Sequence, residues 1–217
     1  NGTSASSNND SENSGAVYVY KRSGSEWAQE AYIKASNNNA DDKFGGFSTG
    51  HAIDGDTLAV GATGEDSNQK TITNGTLTSS NNDSENSGAV YVYKRSGSTW
   101  GQQAYIKPSN SDAGDSFGAS ISISGNLMAV GATGEDSNQT TITNGSSASN
   151  NNDTSNAGAV YIFERTGTSW AQMAYIKAPN PDANDYFGRS VSLDNKTLLV
   201  TSRDDSNQTT ITNGTTA

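Results

Sequence analysis

The chain repeats itself three times, and that period constrains its fold more than any single motif. Gly15-Ala16-Val17-Tyr18 recurs as Gly88-Ala89-Val90-Tyr91 and as Gly158-Ala159-Val160-Tyr161, at spacings of 73 and 70 residues. Trp27, Trp100 and Trp170 each lead into an Ala-Tyr-Ile-Lys that closes on Lys34, Lys107 and Lys177. Phe44-Gly45 returns as Phe117-Gly118 and Phe187-Gly188. The run Gly61-Ala62-Thr63-Gly64-Glu65-Asp66-Ser67-Asn68 returns intact at Gly131 to Asn138 and decays at Thr201 to Asn207. The first period holds three extra residues between Phe44 and Val60, around Gly50-His51-Ala52. Self-similarity at a fixed period signals a repeat architecture. The array divides into repeat 1 (1–73), repeat 2 (74–143), repeat 3 (144–212) and the start of a further repeat (213–217). Asn1-Gly2-Thr3 and Thr210 to Thr215 stand at the same point of the period, which predicts a segment of a longer array or a unit that assembles head to tail.

Inside each copy the apolar spacing is two. Val90, Val92 and Lys94 point one way while Tyr91 and Tyr93 point the other, the alternation of a strand. Ser96-Gly97-Ser98 turns the chain, and Trp100 to Lys107 forms the return strand. Phe117 to Ile123 alternates again, turns at Ser124-Gly125-Asn126 and returns as Leu127 to Gly131. Each repeat therefore supplies two hairpins, or four strands. The stretch from Glu135 to Ala157 reads as a long polar loop, with Thr140 to Thr143 as a short added strand. No segment carries a helical stripe, so the fold class is all-β.

Composition sharpens this picture. Only 31% of residues are hydrophobic, so long polar loops surround a modest core. A net charge of −10 argues against nucleic acid or an anionic membrane surface as partner. The absence of cysteine excludes a disulfide framework and zinc–thiolate sites. No apolar run approaches the roughly 20 residues that span a bilayer, and no export signal is visible, so membrane insertion is not expected.

Four short strands per repeat, an aromatic-Gly start and a Val-Gly-Ala close resemble the FG-GAP repeat, here Phe117-Gly118 and Val130-Gly131-Ala132. The resemblance covers all three copies. It implies antiparallel four-stranded blades of a β-propeller, as in integrin α-chain heads and large bacterial surface proteins, and hence an extracellular or cell-surface location. Three blades form a partial propeller, completed by more repeats or by other copies. Integrin repeats often carry an Asp-x-Asp-x-Asp-Gly calcium loop between the first two strands. The corresponding turns here are Asp54-Gly55-Asp56, Ser124-Gly125-Asn126 and Asp194-Asn195-Lys196, too short and too poor in acid to wrap a cation with six to eight oxygens.

Candidate calcium ligands lie instead at the mouth of the long loop, where Glu65-Asp66, Glu135-Asp136 and Asp204-Asp205 recur. Asp42, Asp115 and Asp185, just before Phe-Gly, form a second acidic series. Carboxylates at such places also cap turns by accepting backbone N–H bonds, and both readings stand at this level. Candidate glycosylation sequons include Asn74, Asn138, Asn144 and Asn207. Catalysis finds little support, since His51 is the single histidine and lies in the repeat-1 insertion. The expected function is a non-catalytic extracellular adhesion or structural module that presents polar loops for docking or self-assembly. Its expected partners are further copies of itself, adjacent repeats, or surface glycans and proteins. A carbohydrate-binding module is the alternative, as is a non-catalytic part of a larger secreted hydrolase. Exposed tryptophans would favour the sugar reading and buried ones the scaffold. The frame leaves the hairpin Ala16 to Lys34 unmatched at one end and the hairpin Phe187 to Ser202 unmatched at the other.

Overall fold

The computed structural model describes residues 10–46 and 49–209, so the start of a further repeat at 213–217 lies outside the described residues. Those described contain strands and turns and no helix. Two complete five-stranded antiparallel sheets stand between two isolated hairpins. The first hairpin pairs β1 (Val17–Ser23) with β2 (Glu26–Ile33). The first full sheet comprises β3 (His51–Asp54), β4 (Thr57–Ala62), β5 (Thr73–Asn74), β6 (Ala89–Ser96) and β7 (Thr99–Ile106), in the order β3-β4-β6-β7-β5. The second comprises β8 (Phe117–Ser124), β9 (Leu127–Ala132), β10 (Thr143–Asn144), β11 (Ala159–Thr166) and β12 (Ser169–Ile176), in the equivalent order β8-β9-β11-β12-β10. The last hairpin pairs β13 (Ser190–Asp194) with β14 (Thr197–Thr201).

Each full sheet therefore joins the Phe-Gly hairpin of one repeat to the Gly-Ala-Val-Tyr hairpin of the next. The expected four strands are all present. The fifth, Thr143–Asn144, falls at the end of the short strand expected in the loop and pairs with the outer edge of the sheet. The two unmatched hairpins are the lone β1–β2 and β13–β14 pairs.

Alternation along β6 divides its side chains between two interfaces. Tyr91 and Tyr93 join Val19, Ala31 and Ile33 of the first hairpin in one buried cluster. Val90 and Val92 join Phe117, Val130, Tyr161 and Trp170 of the next sheet in another. The core thus lies between consecutive sheets, as it does between propeller blades. A β-bulge after Val92, repeated after Val19 and Ile162, twists each strand past its neighbour.

The Phe-Gly motif joins adjacent blades. Backbone bridges link Gly15 with Phe44, Gly88 with Phe117, and Gly158 with Phe187, each across a blade boundary. Two glycines make the close approach possible. Gly118 sits at φ +93°, and a Cβ on Gly61 would lie 2.2 Å from the Gly118 carbonyl oxygen. Phe117 then stacks edge-on against Tyr161, with ring centroids 5.5 Å apart, as Phe44 does against Tyr91 at 5.4 Å.

Candidate functional site

The recurring acidic pair stands where β4 leaves its sheet, and the two carboxylates have different surroundings. Glu65 is 2% exposed. Its Oε1 accepts from the Tyr105 hydroxyl at 2.7 Å and the Asn37 amide at 3.3 Å. Its Oε2 accepts from Lys107 Nζ at 3.1 Å and from the Ser67 backbone N–H at 3.2 Å. Glu135 repeats this with Tyr175 at 2.7 Å, Asn110 at 3.2 Å, Lys177 at 2.7 Å and the Ser137 N–H at 3.2 Å. Burial pushes the Lys107 and Lys177 ammonium pKa values down, against the opposing pull of the paired glutamates. Burial also pushes the Tyr105 and Tyr175 hydroxyls well up, with the neighbouring glutamate adding to the effect.

Asp66 and Asp136 are half-buried and cap the far side of the loop. Asp66 Oδ1 accepts the Asn86 backbone N–H at 2.7 Å, and Asp136 Oδ1 that of Asn156 at 2.6 Å. The loop backbone is held in parallel, since the Glu65 carbonyl accepts from Gly88 N at 2.9 Å and the Asp66 carbonyl from Ser84 N at 2.7 Å. In repeat 3, Asp204 accepts from Asn180 and from the Ser206 N–H, and both Asp204 and Asp205 are exposed. The second acidic series also caps turns: Asp42, Asp115 and Asp185 accept from the backbone N–H of Asn39, Asp112 and Asp182. Among the described residues no group of three or more carboxylate, histidine or cysteine side chains converges as a metal site would require.

Lys107, Lys177, Asn37 and Asn110 complete the buried network, and their roles escape a reading of the acidic residues alone. The signal for the lysines is in the sequence, at the end of each Ala-Tyr-Ile-Lys. Burial of a lysine at the end of a strand requires a partner, and several carboxylates recur with the period, so the sequence signals a pair without choosing the glutamate over its neighbours.

The sequon asparagines differ in surroundings. Asn74 links two blades, with Oδ1 accepting from Trp170 N at 2.8 Å and Nδ2 donating to the Trp170 carbonyl at 3.3 Å. Asn138 donates to Asp153 in the exposed loop, Asn144 ends β10, and Asn207 is exposed. His51 opens β3, with Nδ1 3.3 Å from the Gly45 carbonyl.

The tryptophans separate the blade interiors from the ends. Trp100 and Trp170 are 1% and 2% exposed, whereas Trp27 is 69% exposed. Trp100 donates to Glu30 on β2 at 3.0 Å, and Trp170 to Gln103 on β7 at 3.1 Å, so each lies against the outer strand of the preceding blade. Arg95 and Arg165 cover their other faces, each 5.4 Å from the ring centroid.

This arrangement defines a propeller-type blade array, in which the recurring polar residues fasten each blade to the next. The FG-GAP repeat family model matches residues 27–93, 100–163 and 170–216, and the chain belongs to that family. Each matched unit begins at one of the three tryptophans. No curated protein matches the chain.

Proposed function

We propose that this chain is a non-catalytic extracellular or cell-surface scaffold, in which stacked blades hold long Asn/Ser/Thr-rich loops for docking. FG-GAP repeats form a structural family, generally non-catalytic and typical of extracellular and surface proteins. The observation that carries the reading is the burial of Trp100 and Trp170 between blades, where a sugar cannot stack on them. Trp27, on the β1–β2 hairpin, is exposed at a position whose two counterparts are covered by the preceding blade.

The loops suit presentation because their own side chains set their shape. Asn68 donates from its side-chain amide to Asp83 and from its backbone N–H to Asn81 Oδ1; Asn138, Asp153 and Asn151 repeat the pattern. Both loops leave their sheets at equivalent ends, through the β4–β6 and β9–β11 connections.

The test is attachment of beads coated with the protein to cells, compared with a variant whose exposed segments 76–82 and 146–152 are replaced by Gly-Ser linkers. Attachment is expected to fall at least tenfold while the melting temperature holds within a few degrees. Equal attachment by the loop-replaced protein would overturn the reading.

A further inference from the structure

We infer that a doubly charged tetrahedral oxyanion binds between Arg189 and Arg203, at the junction of the β8–β9 and β13–β14 hairpins. The ligand is free sulfate or phosphate, or the phosphomonoester of a larger molecule. The inference goes beyond the scaffold reading, and the loops that carry that reading take no part in it.

The site is built where repeat 3 departs from its two companions. Every repeat makes the same turn at its Phe-Gly. Ala119 N donates to the Ser116 carbonyl at 3.2 Å, Gly46 N to that of Lys43 at 2.8 Å, and Arg189 N to that of Tyr186 at 3.1 Å. Arg189 therefore stands where the other repeats have Ala119 and Gly46, and Tyr186 where they have Ser116 and Lys43. The third departure lies where β14 leaves its hairpin. Arg203 N donates to the Asp185 carbonyl at 2.7 Å, as Gly134 N does to that of Asp115 at 3.0 Å and Gly64 N to that of Asp42 at 3.1 Å. Those two turns have no room for a side chain, since a Cβ on Gly134 would lie 2.1 Å from the Gly114 carbonyl oxygen. Repeat 3 has a shorter turn, with Thr201-Ser202-Arg203 between Val200 and Asp204 where Gly131 to Gly134 stand between Val130 and Glu135. Two arginines and a tyrosine thus arrive together in place of the alanine, glycine and serine of repeat 2.

These three side chains and Thr133 line a cavity of about 220 Å³, enough for one tetrahedral oxyanion and part of its hydration shell. No carboxylate lines it. Thr133 follows β9 in the preceding blade, and β13 packs on β8 and β9, so both walls come from neighbouring hairpins within this chain. Both arginines are exposed and open to a ligand. Arg203 is held over the Tyr186 ring, 5.0 Å from its centroid, which lowers the ordering cost of binding. Among the described residues neither guanidinium donates a hydrogen bond or joins an ion pair, whereas Arg95 and Arg165 are bonded to Asp56 and Asn126. The neighbouring carboxylates are engaged elsewhere: Asp204 accepts from Asn180 and Ser206 N, and Asp185 from Asp182 N. A guanidinium presents paired N–H donors that match the edge of an oxyanion. A carboxylate fills one such fork and balances one charge; a tetrahedral dianion fills two and balances both.

The test is equilibrium dialysis of the whole chain against radiolabelled sulfate at pH 7.5, in chloride buffer of fixed ionic strength. One saturable site is expected, with a dissociation constant of about 1 mM or below. Arg189→Gln and Arg203→Gln should each weaken it at least tenfold with the melting temperature unchanged. Arg203→Lys should fall between, because it keeps the charge and loses the fork. Arg22→Gln, an exposed arginine on β1, should bind as the parent does. Inorganic phosphate and methyl phosphate should both displace the label; stronger displacement by methyl phosphate assigns the site to a phosphomonoester, and equal or weaker displacement to the free ion. Binding that does not saturate by about 50 mM, that survives Arg189→Gln, or that falls equally in Arg22→Gln would overturn the inference. Displacement by acetate at the same concentration as phosphate would overturn it too. Sulfate binding should persist in the loop-replaced protein, so loss of cell attachment and loss of the oxyanion site are read separately.

Discussion

Lys107 Nζ stands 3.1 Å from Glu65 Oε2 with neither side chain more than 2% exposed, and Lys177 and Glu135 repeat the pair at 2.7 Å. Each pair ties the loop that leaves the inner hairpin of a blade to the end of that blade's outer hairpin, so it joins segments of two successive repeats within one blade. Removing one partner leaves a buried charge without compensation, at a cost of about 3–5 kcal/mol. Lys177→Met should therefore destabilise the protein by about that amount in a denaturant melt. Adding Glu135→Gln should recover part of the loss, because Tyr175 and Asn110 still find a carbonyl oxygen. A loss below about 1 kcal/mol for the single variant would show the pair to be solvated and dispensable.

Backbone contact between blades gives a second test. A Cβ on Gly131 would lie 2.1 Å from the Gly188 carbonyl oxygen and 2.5 Å from Ser120 Oγ. Backbone must shift to admit it, so Gly131→Ala should cost about 3 kcal/mol. Gly101 is the internal control, with nothing within 4 Å of its Cβ position and alanine at the equivalent sites Ala28 and Ala171. Gly101→Ala should stabilise by about 0.5–1 kcal/mol through the unfolded chain. Similar melts for the two variants would refute the claim that blades converge at Gly131.

The period and the alternation made the blades legible in advance, because a repeat of strands that cannot bury its own apolar face must bury it against its neighbours. Tyr91 and Val92 lie in different clusters because each strand face meets a different blade. The acidic network was less legible. Glu65 and Asp66 are adjacent in sequence and similar in chemistry, yet one is buried on a lysine 42 residues away while the other caps a turn. Nothing local distinguishes them, since the difference is set by where the next repeat places Lys107 and Asn86. Trp27 shows the same dependence. Its sequence context matches that of Trp100, yet Trp27 is 69% exposed and Trp100 1%, because Trp100 lies against Glu30 of the neighbouring hairpin.

Calcium is the next test of the acidic loops. Both Glu65 oxygens are held by protein donors, and Asp66 Oδ1 is held by Asn86 N. A cation would have to displace these bonds to gather the six to eight oxygens it needs. The melting temperature in millimolar calcium should therefore differ from that in EDTA by less than about 2 °C, since little binding energy is left over. A rise of several degrees that vanishes in an Asp66→Asn, Asp136→Asn double variant would place the ion at those carboxylates after all.

The last prediction concerns pH and the turn before Phe-Gly. Asp115 is 3% exposed and its burial pushes the carboxyl pKa up to about 8, with Glu135, Asp112 and Asp136 adding repulsion against the backbone bond from Asp112. Asp42 is raised to about 6 for the same principal reason. A carboxyl whose folded pKa lies above its unfolded value of 3.8 binds its proton more tightly in the folded state. Its contribution is full below the unfolded value and is lost as pH rises through about 8. Stability assigned to Asp115 should thus decline between about pH 4 and pH 8, by roughly 2–5 kcal/mol. Asp115→Asn keeps an oxygen for the Asp112 N–H and removes the titration. The difference in unfolding free energy between this variant and the parent should therefore widen in the variant's favour as pH rises across that window. Comparing the two proteins cancels the glutamates and lysines that titrate in both. A difference that stays flat from pH 4 to pH 8 would show that Asp115 is ionised throughout, and that the turn is held by a carboxylate rather than by a neutral acid.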